Sequence, residues 1–448
     1  MIPALLAYGA AVLLVGLFAA RRASRSAEAF LLGDRSFGLF ATWAALTSTT
    51  IGGSTTLVLA TLVASRCLPG FWLDLSGALG LLALGLFLAR KVRETGEVTL
   101  AAVVGRFYGE RVRKIAAALV VLAEIVWFAL LAQATETVVT ALTEWNATAV
   151  LVATAGLFVA YTSLGGQRAV VRTDILQLGL MLLGIVGIAF PLALASLART
   201  GWPTELLVFP VGPRFGWTDA GALLVLVGLP HAVGSDVWAK LLSARDAATA
   251  RRAALGAAAG KLGFGAAVTV VALAGVALGV GGRPEVLFPA TVHALAGPLL
   301  SPLLLVALVA TMQSSADSVL LSAAAATSHD LLGGAPARTS RLLVVAYGVL
   351  GLAVALAMRD VLETFRLGYT IFASGLILPT LVAFAPRVAV RPGFAGAAML
   401  LGGGAAAFAK ISGWGPDPVL VGTFVNCLVL LAGLRRRAGG APAISRRR

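Results

Sequence analysis

The sequence predicts an all-α integral membrane protein with about thirteen transmembrane helices. Of its 448 residues, 59% are hydrophobic and 12% are charged, whereas soluble domains carry about 25% charged residues. Apolar runs near 20 residues, which suffice to cross about 30 Å of hydrocarbon, recur along the whole chain. These runs lie near 3–20, 38–65, 69–90, 114–142, 145–163, 170–196, 218–240, 252–281, 298–328, 340–358, 361–386, 392–409 and 415–434. They predict one transmembrane domain over 1–434 and a basic cytoplasmic tail over 435–448.

The basic residues predict how the chain is oriented in its membrane. The formal charge is +15, and the Lys and Arg residues sit in loops between spans, which indicates membrane topology and anionic lipid contact rather than nucleic-acid binding. Arg21 and Arg22 follow the first apolar run, the reverse of a cleaved signal peptide, so we expect a retained helix with its N-terminus outside. The C-terminus is then cytoplasmic, and 94–113 is expected to be a cytoplasmic, partly amphipathic loop helix.

The sequence carries no pattern that predicts an enzyme or an organic cofactor. Cys67, Cys427 and the three histidines show no metal-ligand spacing. A Walker A loop, an HExxH motif and a nucleophile elbow are all missing from the sequence. We therefore expect neither catalysis nor energy supplied by ATP on this chain.

The stretch 310–322, ATMQSSADSVLLS, places six polar side chains and Asp317 in the middle of a long apolar helix. Hydrocarbon penalises such groups, so each needs a partner or a function. Ser314 and Ser315, one turn past the carbonyl of Thr311, form a small cluster of oxygens. Hard cations such as sodium favour oxygen ligands, so this cluster is a first indication of a cation site in an ion-coupled transporter.

The second span contains TWAALTSTTIGGSTT over 42–56. β-Branched Thr and paired Gly lower helix propensity. We favour a broken helix whose free carbonyls and hydroxyls, including those of Thr47, Ser48, Thr49 and Thr50, line a cavity. A tight helix interface of small residues is the alternative.

Two further polar positions lie within spans. Asp174, about one turn inside the sixth span, is either an acidic way station for a cation or a salt-bridge partner of Arg168 or Arg172. His231, in a span that Pro230 can kink, either touches substrate or is a satisfied core histidine.

Two ionisable pairs are expected by position. Asp236 and Lys240, one helical turn apart, should pair near the cytoplasmic end of the seventh span. Glu124 and Lys261 are deep in their spans. They either pair with each other or, in the case of Lys261, hold a substrate oxygen, and a purely structural pair is the alternative for Glu124.

The chain resembles the sodium:solute symporter family over essentially its whole length. The residues that carry the resemblance are GGQRAVVRTDILQ over 165–177, ATMQSSADS over 310–318 with HDL at 329–331, AEAFLLGDR over 27–35, and DVWAK with SARD over 236–246. The resemblance implies an inverted repeat of five plus five core helices over about 38–386, with one leading and two trailing helices. The first helix of each repeat would be broken near the midplane.

The resemblance also implies a set of sodium ligands. These are the carbonyls of Thr42, Ala45 and Thr311 with the hydroxyls of Ser314 and Ser315. Asp174 would take the role of an aspartate on the sodium exit route, and Lys261 the place of a substrate-contacting lysine. Ala44, Lys240 and the pair Pro230-His231 depart from residues seen in other members, which bears on the solute rather than on the sodium site.

Together these features predict a sodium-coupled symporter of the bacterial inner membrane that imports a small polar organic solute by alternating access. Its partners would be the solute and membrane lipids, without nucleic acid. The lining of Thr47 to Thr50, Glu124, His231 and Lys261 suits a hydroxylated or anionic molecule. Proton coupling through Asp174 or Glu124, and a solute sensor of the same fold, are the alternatives.

Overall fold

The computed structural model describes residues 1–23, 26–413 and 417–436, and over these residues the chain is a bundle of long helices. Ten helices are long and apolar enough to cross a membrane, or up to eleven when one bent pair counts as a span. Each of the predicted spans has a helical counterpart among the described residues, and the prediction of a multi-pass, all-α membrane protein is confirmed. The predicted spans 145–163 and 170–196 lie in one apolar stretch, Ala147–Thr200, which turns between them at Gly166 (φ 53°, ψ −154°).

The α-helices, in chain order, are α1 Ile2–Ala23, α2 Ala27–Leu32, α3 Leu39–Thr50, α4 Leu59–Arg66, α5 Trp72–Ala83, α6 Ala89–Glu94, α7 Leu100–Tyr108, α8 Glu110–Ala141, α9 Ala147–Met181, α10 Phe190–Thr200, α11 Trp217–Leu223, α12 Leu229–Val233, α13 Ser235–Ser243, α14 Ala247–Ala277, α15 Leu287–Ala325, α16 Ala337–Met358, α17 Val361–Phe372, α18 Leu378–Ala383, α19 Pro392–Ser412 and α20 Pro418–Ala432.

Wider π-helical turns extend several of these helices, over Ser54–Val58, Leu84–Leu88, Leu182–Ala189, Leu224–Gly228, Ala326–Leu331 and Ala373–Ile377. Short 3₁₀ turns lie at Gly33–Arg35, Leu68–Phe71, Thr204–Leu206 and Pro284–Val286. Two short strands, β1 Val388–Val390 and β2 Leu434–Arg436, pair antiparallel. The first two residues of the predicted tail are therefore in a strand, while 437–448 lie outside the described residues.

Two spans are broken where the sequence carries helix breakers. α3 ends at Thr50, and the chain resumes after a bend of 52°. Gly52 permits this bend against α15, because a β-carbon there would lie 2.1 Å from the Ser315 hydroxyl oxygen. The second break separates α12 from α13 at Gly234, whose extended ψ of 136° interrupts the helical path. The predicted loop helix is α7, which is capped by Thr99.

These breaks face each other across the core of the bundle. α15 packs against α8 and α9, α3 packs against α14 and α9, and α13 touches both α3 and α15. The polar stretches of α3 and α15 are thereby buried against each other rather than exposed to lipid.

The crossing of α5 and α12 gives a test of this packing. A β-carbon at Gly80 would lie 1.9 Å from the backbone oxygen of Gly228. Because backbone cannot yield as a side chain does, we expect Gly80→Ala to destabilise the protein by at least about 1–3 kcal/mol. The thermal unfolding midpoint in detergent measures this loss.

The control is Gly263→Ala in α14, where nothing lies within 4 Å of the added β-carbon. Alanine there should be neutral or stabilise the helix by up to about 1 kcal/mol. Equal midpoints for the two variants would contradict the close backbone approach of α5 and α12.

Candidate functional site

The broken end of α3 supplies three free backbone carbonyls. The last four carbonyls of a helix have no partner within it. Here the carbonyl of Ser48 accepts from the Ser314 hydroxyl at 3.0 Å, and that of Thr49 accepts from the Ser315 hydroxyl at 2.7 Å. The carbonyl of Thr50 accepts from the Lys261 ammonium at 2.7 Å. Three successive carbonyls thus hold three side chains from two other helices.

The oxygens around Ser314 and Ser315 form a compact, buried group. The carbonyl of Thr311 lies 3.1 Å from the Ser314 hydroxyl, whose single hydrogen it shares with the carbonyl of Ser48. The Thr49 hydroxyl lies 3.2 Å from that of Ser318. Apart from the slightly exposed Ser315, these residues are almost wholly buried. The structure brings Thr311, Ser314 and Ser315 close together on α15.

The α3 side of this group differs from the sequence-based expectation. The contacts come from Ser48 and Thr49, whereas the Thr42 hydroxyl donates to Gly38 at 3.0 Å. Six residues of α-helix separate the carbonyls of Thr42 and Ser48 by about 9 Å, too far for both to reach one ion. Ala45 is closer, and its carbonyl accepts from the Ser48 hydroxyl at 3.2 Å. The α3 carbonyls that contact Ser314 and Ser315 in this structure are those of Ser48 and Thr49, at the end of the helix.

Lys261 is engaged by a carboxylate that the sequence reasoning missed. Its ammonium lies 3.0 Å from the carboxylate of Asp74 and donates to the Thr55 hydroxyl at 2.8 Å. Lys261 and Asp74 are fully buried. The expected alternatives, a pair with Glu124 or a free ammonium for substrate, are not found in this structure. Asp74 could have been found by the rule that an ionisable residue within a span needs a partner.

Asp174 forms a second buried pair. Its carboxylate accepts from the Lys240 ammonium at 2.8 Å, and both side chains are at most 1% exposed. Two expected pairings were wrong. Arg168, an expected partner of Asp174, pairs with Asp34 instead. Asp236, the expected partner of Lys240, accepts from the backbone N–H of Val237. The broken helix explains this, since the break at Gly234 leaves the N–H groups at the start of α13 free to bind Asp236.

Glu124 belongs to a chain of hydrogen bonds that crosses three helices. The Ser235 hydroxyl of α13 donates to the Glu124 carboxylate of α8. The Ser322 hydroxyl of α15 donates in turn to Ser235 at 2.9 Å. This chain, which we call the serine bridge, ties α8, α13 and α15 together beside the main cavity.

The main cavity lies between the two broken helices, α8, α15 and α17. The space between its walls, including its open mouth, is about 650 Å³. Its walls include Thr49, Thr50, Gly52, Gly53, Ala123, Glu124, Trp127, Leu131, Pro230, His231, Gly234, Ser235, Asp236, Val237, Ser315, Val319, Tyr369 and Phe372. Within the part of the chain that the structure describes, two of these residues are acidic and none is Lys or Arg.

Only some of the residues expected to bind substrate line this cavity. Thr49, Thr50, Glu124 and His231 line it, and the His231 ring is also fixed by a bond from Nδ1 to the Val227 carbonyl at 2.8 Å. The other members of the set face elsewhere. Thr47 points at Gly260 of α14, Ser48 contacts Ser314 through its carbonyl, and Lys261 is held by Asp74.

The aromatic wall of the cavity was not predicted. Trp127 and Tyr369 meet edge to face, with ring centroids 4.6 Å apart, and Phe372 completes the wall. Trp127 lies one turn beyond Glu124 on α8, so helical spacing alone places both on one face. Tyr369 and Phe372 come from a distant helix, and no local pattern links them to Glu124.

Comparison with known proteins finds similarity to transporters. The model of the sodium:solute symporter family matches residues 30–201. The high-affinity choline transporter 1 of Torpedo marmorata is 28% identical over 70% of this chain and 58% of its own length. The human high affinity choline transporter 1 is 27% identical over 49% of this chain and 41% of its own length. The chain thus spans about half the length of these relatives, and the resemblance to the family is confirmed.

Solved structures agree on the fold. A Na⁺-coupled sialic acid symporter in a substrate-bound, outward-open state matches with a TM-score of 0.77 at 18% identity, covering 96% of both chains. Mhp1, a nucleobase-cation-symport-1 family transporter, matches with a TM-score of 0.59 at 16% identity, covering 90% of this chain and 93% of its own. These relatives and neighbours are transporters, not enzymes, and the predicted transporter fold is confirmed.

The pair of Lys261 and Asp74 gives a test of what Lys261 does. Lys261→Met leaves the buried Asp74 carboxylate without its counter-charge, so we expect a loss of about 3–5 kcal/mol in folding stability. The double variant Lys261→Met/Asp74→Asn removes both charges and should recover most of that loss. Thermal unfolding midpoints measure both effects. A Lys261→Met variant that keeps its stability and loses solute affinity would instead assign Lys261 to the solute.

Proposed function

We propose that this chain is a sodium-coupled symporter that imports a small organic cation by alternating access. The observation that carries the proposal is the pairing of acid and aromatic groups in the main cavity. Glu124 and Asp236 face the cavity, while Lys261 and Lys240 are occupied by other carboxylates. An anionic solute would meet repulsion there, and a cation would find counter-charge.

The aromatic wall favours the same class of solute. A cation within about 6 Å of an aromatic ring face is attracted by the ring quadrupole, and quaternary ammonium groups are commonly recognised this way. Trp127, Tyr369 and Phe372 offer such a wall beside Glu124. The similar choline transporters support a quaternary ammonium alcohol such as choline as the first solute to test.

The coupling ion in this proposal is sodium. The family and the Na⁺-coupled neighbour support it, and Thr311, Ser314 and Ser315 with the carbonyls of Ser48 and Thr49 are its proposed ligands. Thr49 and Ser315 also line the main cavity, so ion and solute would share a wall. Coupling of this kind is reciprocal, each ligand favouring the other. A membrane potential adds about 2.3 kcal/mol per charge per 100 mV.

We place the protein in a bacterial inner membrane as one transmembrane domain over 1–434, with the N-terminus outside and the C-terminus cytoplasmic. Arg35, Arg93, Arg113 and Arg245 cluster near α6 and α7, as the positive-inside rule requires of a cytoplasmic face. Asp174 is the proposed way station for sodium toward that face, which it could serve only after its bond to Lys240 opens.

The sodium site is tested with Ser315→Ala. Removing one ligand should raise the sodium concentration for half-maximal uptake about tenfold, equivalent to about 1.4 kcal/mol. Uptake of labelled choline into proteoliposomes, driven by sodium and compared with potassium, measures the change.

Ser340→Ala is the matched control, since Ser340 is a buried serine on α16 away from this site. Unchanged sodium dependence in Ser315→Ala, with uptake that follows a proton gradient instead, would refute the proposed sodium site and favour proton coupling.

The solute class is tested with Glu124→Gln. A hydrogen bond from the choline hydroxyl to a charged carboxylate contributes about 1.5–3 kcal/mol, so Glu124→Gln should weaken choline binding about 10- to 100-fold. Competition by choline, by the zwitterion betaine and by the anion sialic acid against labelled choline ranks the solute classes.

Glu136→Gln on the same helix should leave binding unchanged, because Glu136 lies three turns beyond Glu124, outside the cavity. Stronger competition by sialic acid than by choline would refute a cationic solute.

A further inference from the structure

We propose that the solute leaves the main cavity through a second, cytoplasmic pocket beneath α7, and that the serine bridge and the start of α7 are the two barriers on this route. The proposal rests on the proposed function. The second pocket holds about 350 Å³ of space. Its walls include Leu31, Val98, Thr99, Leu100, Ala101, Val120, Ser235, Ala239, Leu321, Ser322, Ala325 and Ala326.

The two cavities follow one another along the same three helices. On α8, Glu124 lines the first cavity and Val120, one turn earlier, lines the second. On α15, Val319 lines the first, while Ser322 and Ala325 line the second. One groove between α8, α13 and α15 therefore contains both spaces.

The serine bridge is the boundary between these two spaces. Ser235 lines both cavities, and its hydroxyl joins Glu124 on one side to Ser322 on the other. A solute cannot move from the first cavity to the second without separating these groups. Because Glu124 is also the proposed counter-charge of the solute, a bound cation competes with Ser235 for the same carboxylate. Solute binding is thereby coupled to opening of the bridge.

The far side of the second pocket is covered by the start of α7. Thr99 caps this helix, accepting from the Ala102 N–H at 2.9 Å, while its hydroxyl donates to the Asp330 carboxylate at 2.6 Å. Asp330 in turn accepts from Arg113 at 2.7 Å, and Arg113 donates to the His329 carbonyl at 2.7 Å. The cover is thus fastened to the end of the α15 span through one buried carboxylate.

The route is tested by thiol labelling of Ala325→Cys in a Cys67→Ser/Cys427→Ser background. The probe is a membrane-impermeant quaternary ammonium thiosulfonate applied to the cytoplasmic face. We expect labelling in sodium plus choline to exceed labelling in sodium alone by about tenfold, a typical coupling factor. Labelling should also block choline uptake.

Two controls accompany this test. Ala117→Cys, buried on α8 and lining neither cavity, should label slowly in every condition. In Ala325→Cys, adding Thr99→Ala unfastens the cover and should accelerate labelling in sodium alone, whereas Thr95→Ala, whose hydroxyl donates to Val92 instead, should not.

The route is overturned if Ala325→Cys labels no faster than Ala117→Cys in any condition, or if the labelled protein still transports choline at its full rate. Labelling that Thr99→Ala does not change would overturn the role of α7 as the cover. Failure of the proposed function is seen separately and beforehand, as absence of sodium-dependent choline uptake in the Cys67→Ser/Cys427→Ser background.

Discussion

The broken end of α3 is the contact on which the rest of the site depends. If the helix continued past Thr50, its last carbonyls would be consumed by the N–H groups of the next turn. The break leaves them free to hold Ser314, Ser315 and Lys261. The C-terminal end of a helix also carries partial negative charge, so these carbonyls suit an ammonium or a metal cation. Gly52 lets α15 come close enough to use them.

This geometry determines which buried lysine pairs with which buried carboxylate. Lys261 reaches both the end of α3 and Asp74, and Lys240 reaches Asp174. Each pair satisfies its charges away from the main cavity. Glu124 is left with hydroxyl partners only, and Asp236 with backbone N–H groups. The negative character of the cavity therefore follows from where the lysines are held, rather than from any excess of acidic residues in the chain.

The sequence was enough to predict the membrane spans and the breaks in the helices, but not which buried side chains pair with each other. Hydropathy is a local property, and the Gly-Gly step at 52–53 and the pair Pro230 and Gly234 mark local weaknesses of a helix. Which lysine meets which carboxylate depends on helices far apart in the chain, as Asp74 and Lys261 show. Carrying ligand positions over from the family resemblance gave the residues of α15 that contribute to the oxygen cluster. On α3 it gave Thr42 and Ala45, whereas the carbonyls that contact Ser314 and Ser315 are those of Ser48 and Thr49, because the position of the bend decides which carbonyls are free.

In the proposed symporter, the contact between Ser315 and Thr49 would give sodium a direct means of altering the main cavity. The Ser315 hydroxyl now directs its hydrogen at the Thr49 carbonyl, across 2.7 Å. An ion bound to both oxygens needs their lone pairs, so that hydrogen must turn away and the two oxygens must face the ion. Both residues line the main cavity, so an ion at the proposed site would rearrange part of the wall against which the proposed solute binds. Thermodynamic linkage then requires the solute to favour the same arrangement, with no signal carried over a distance.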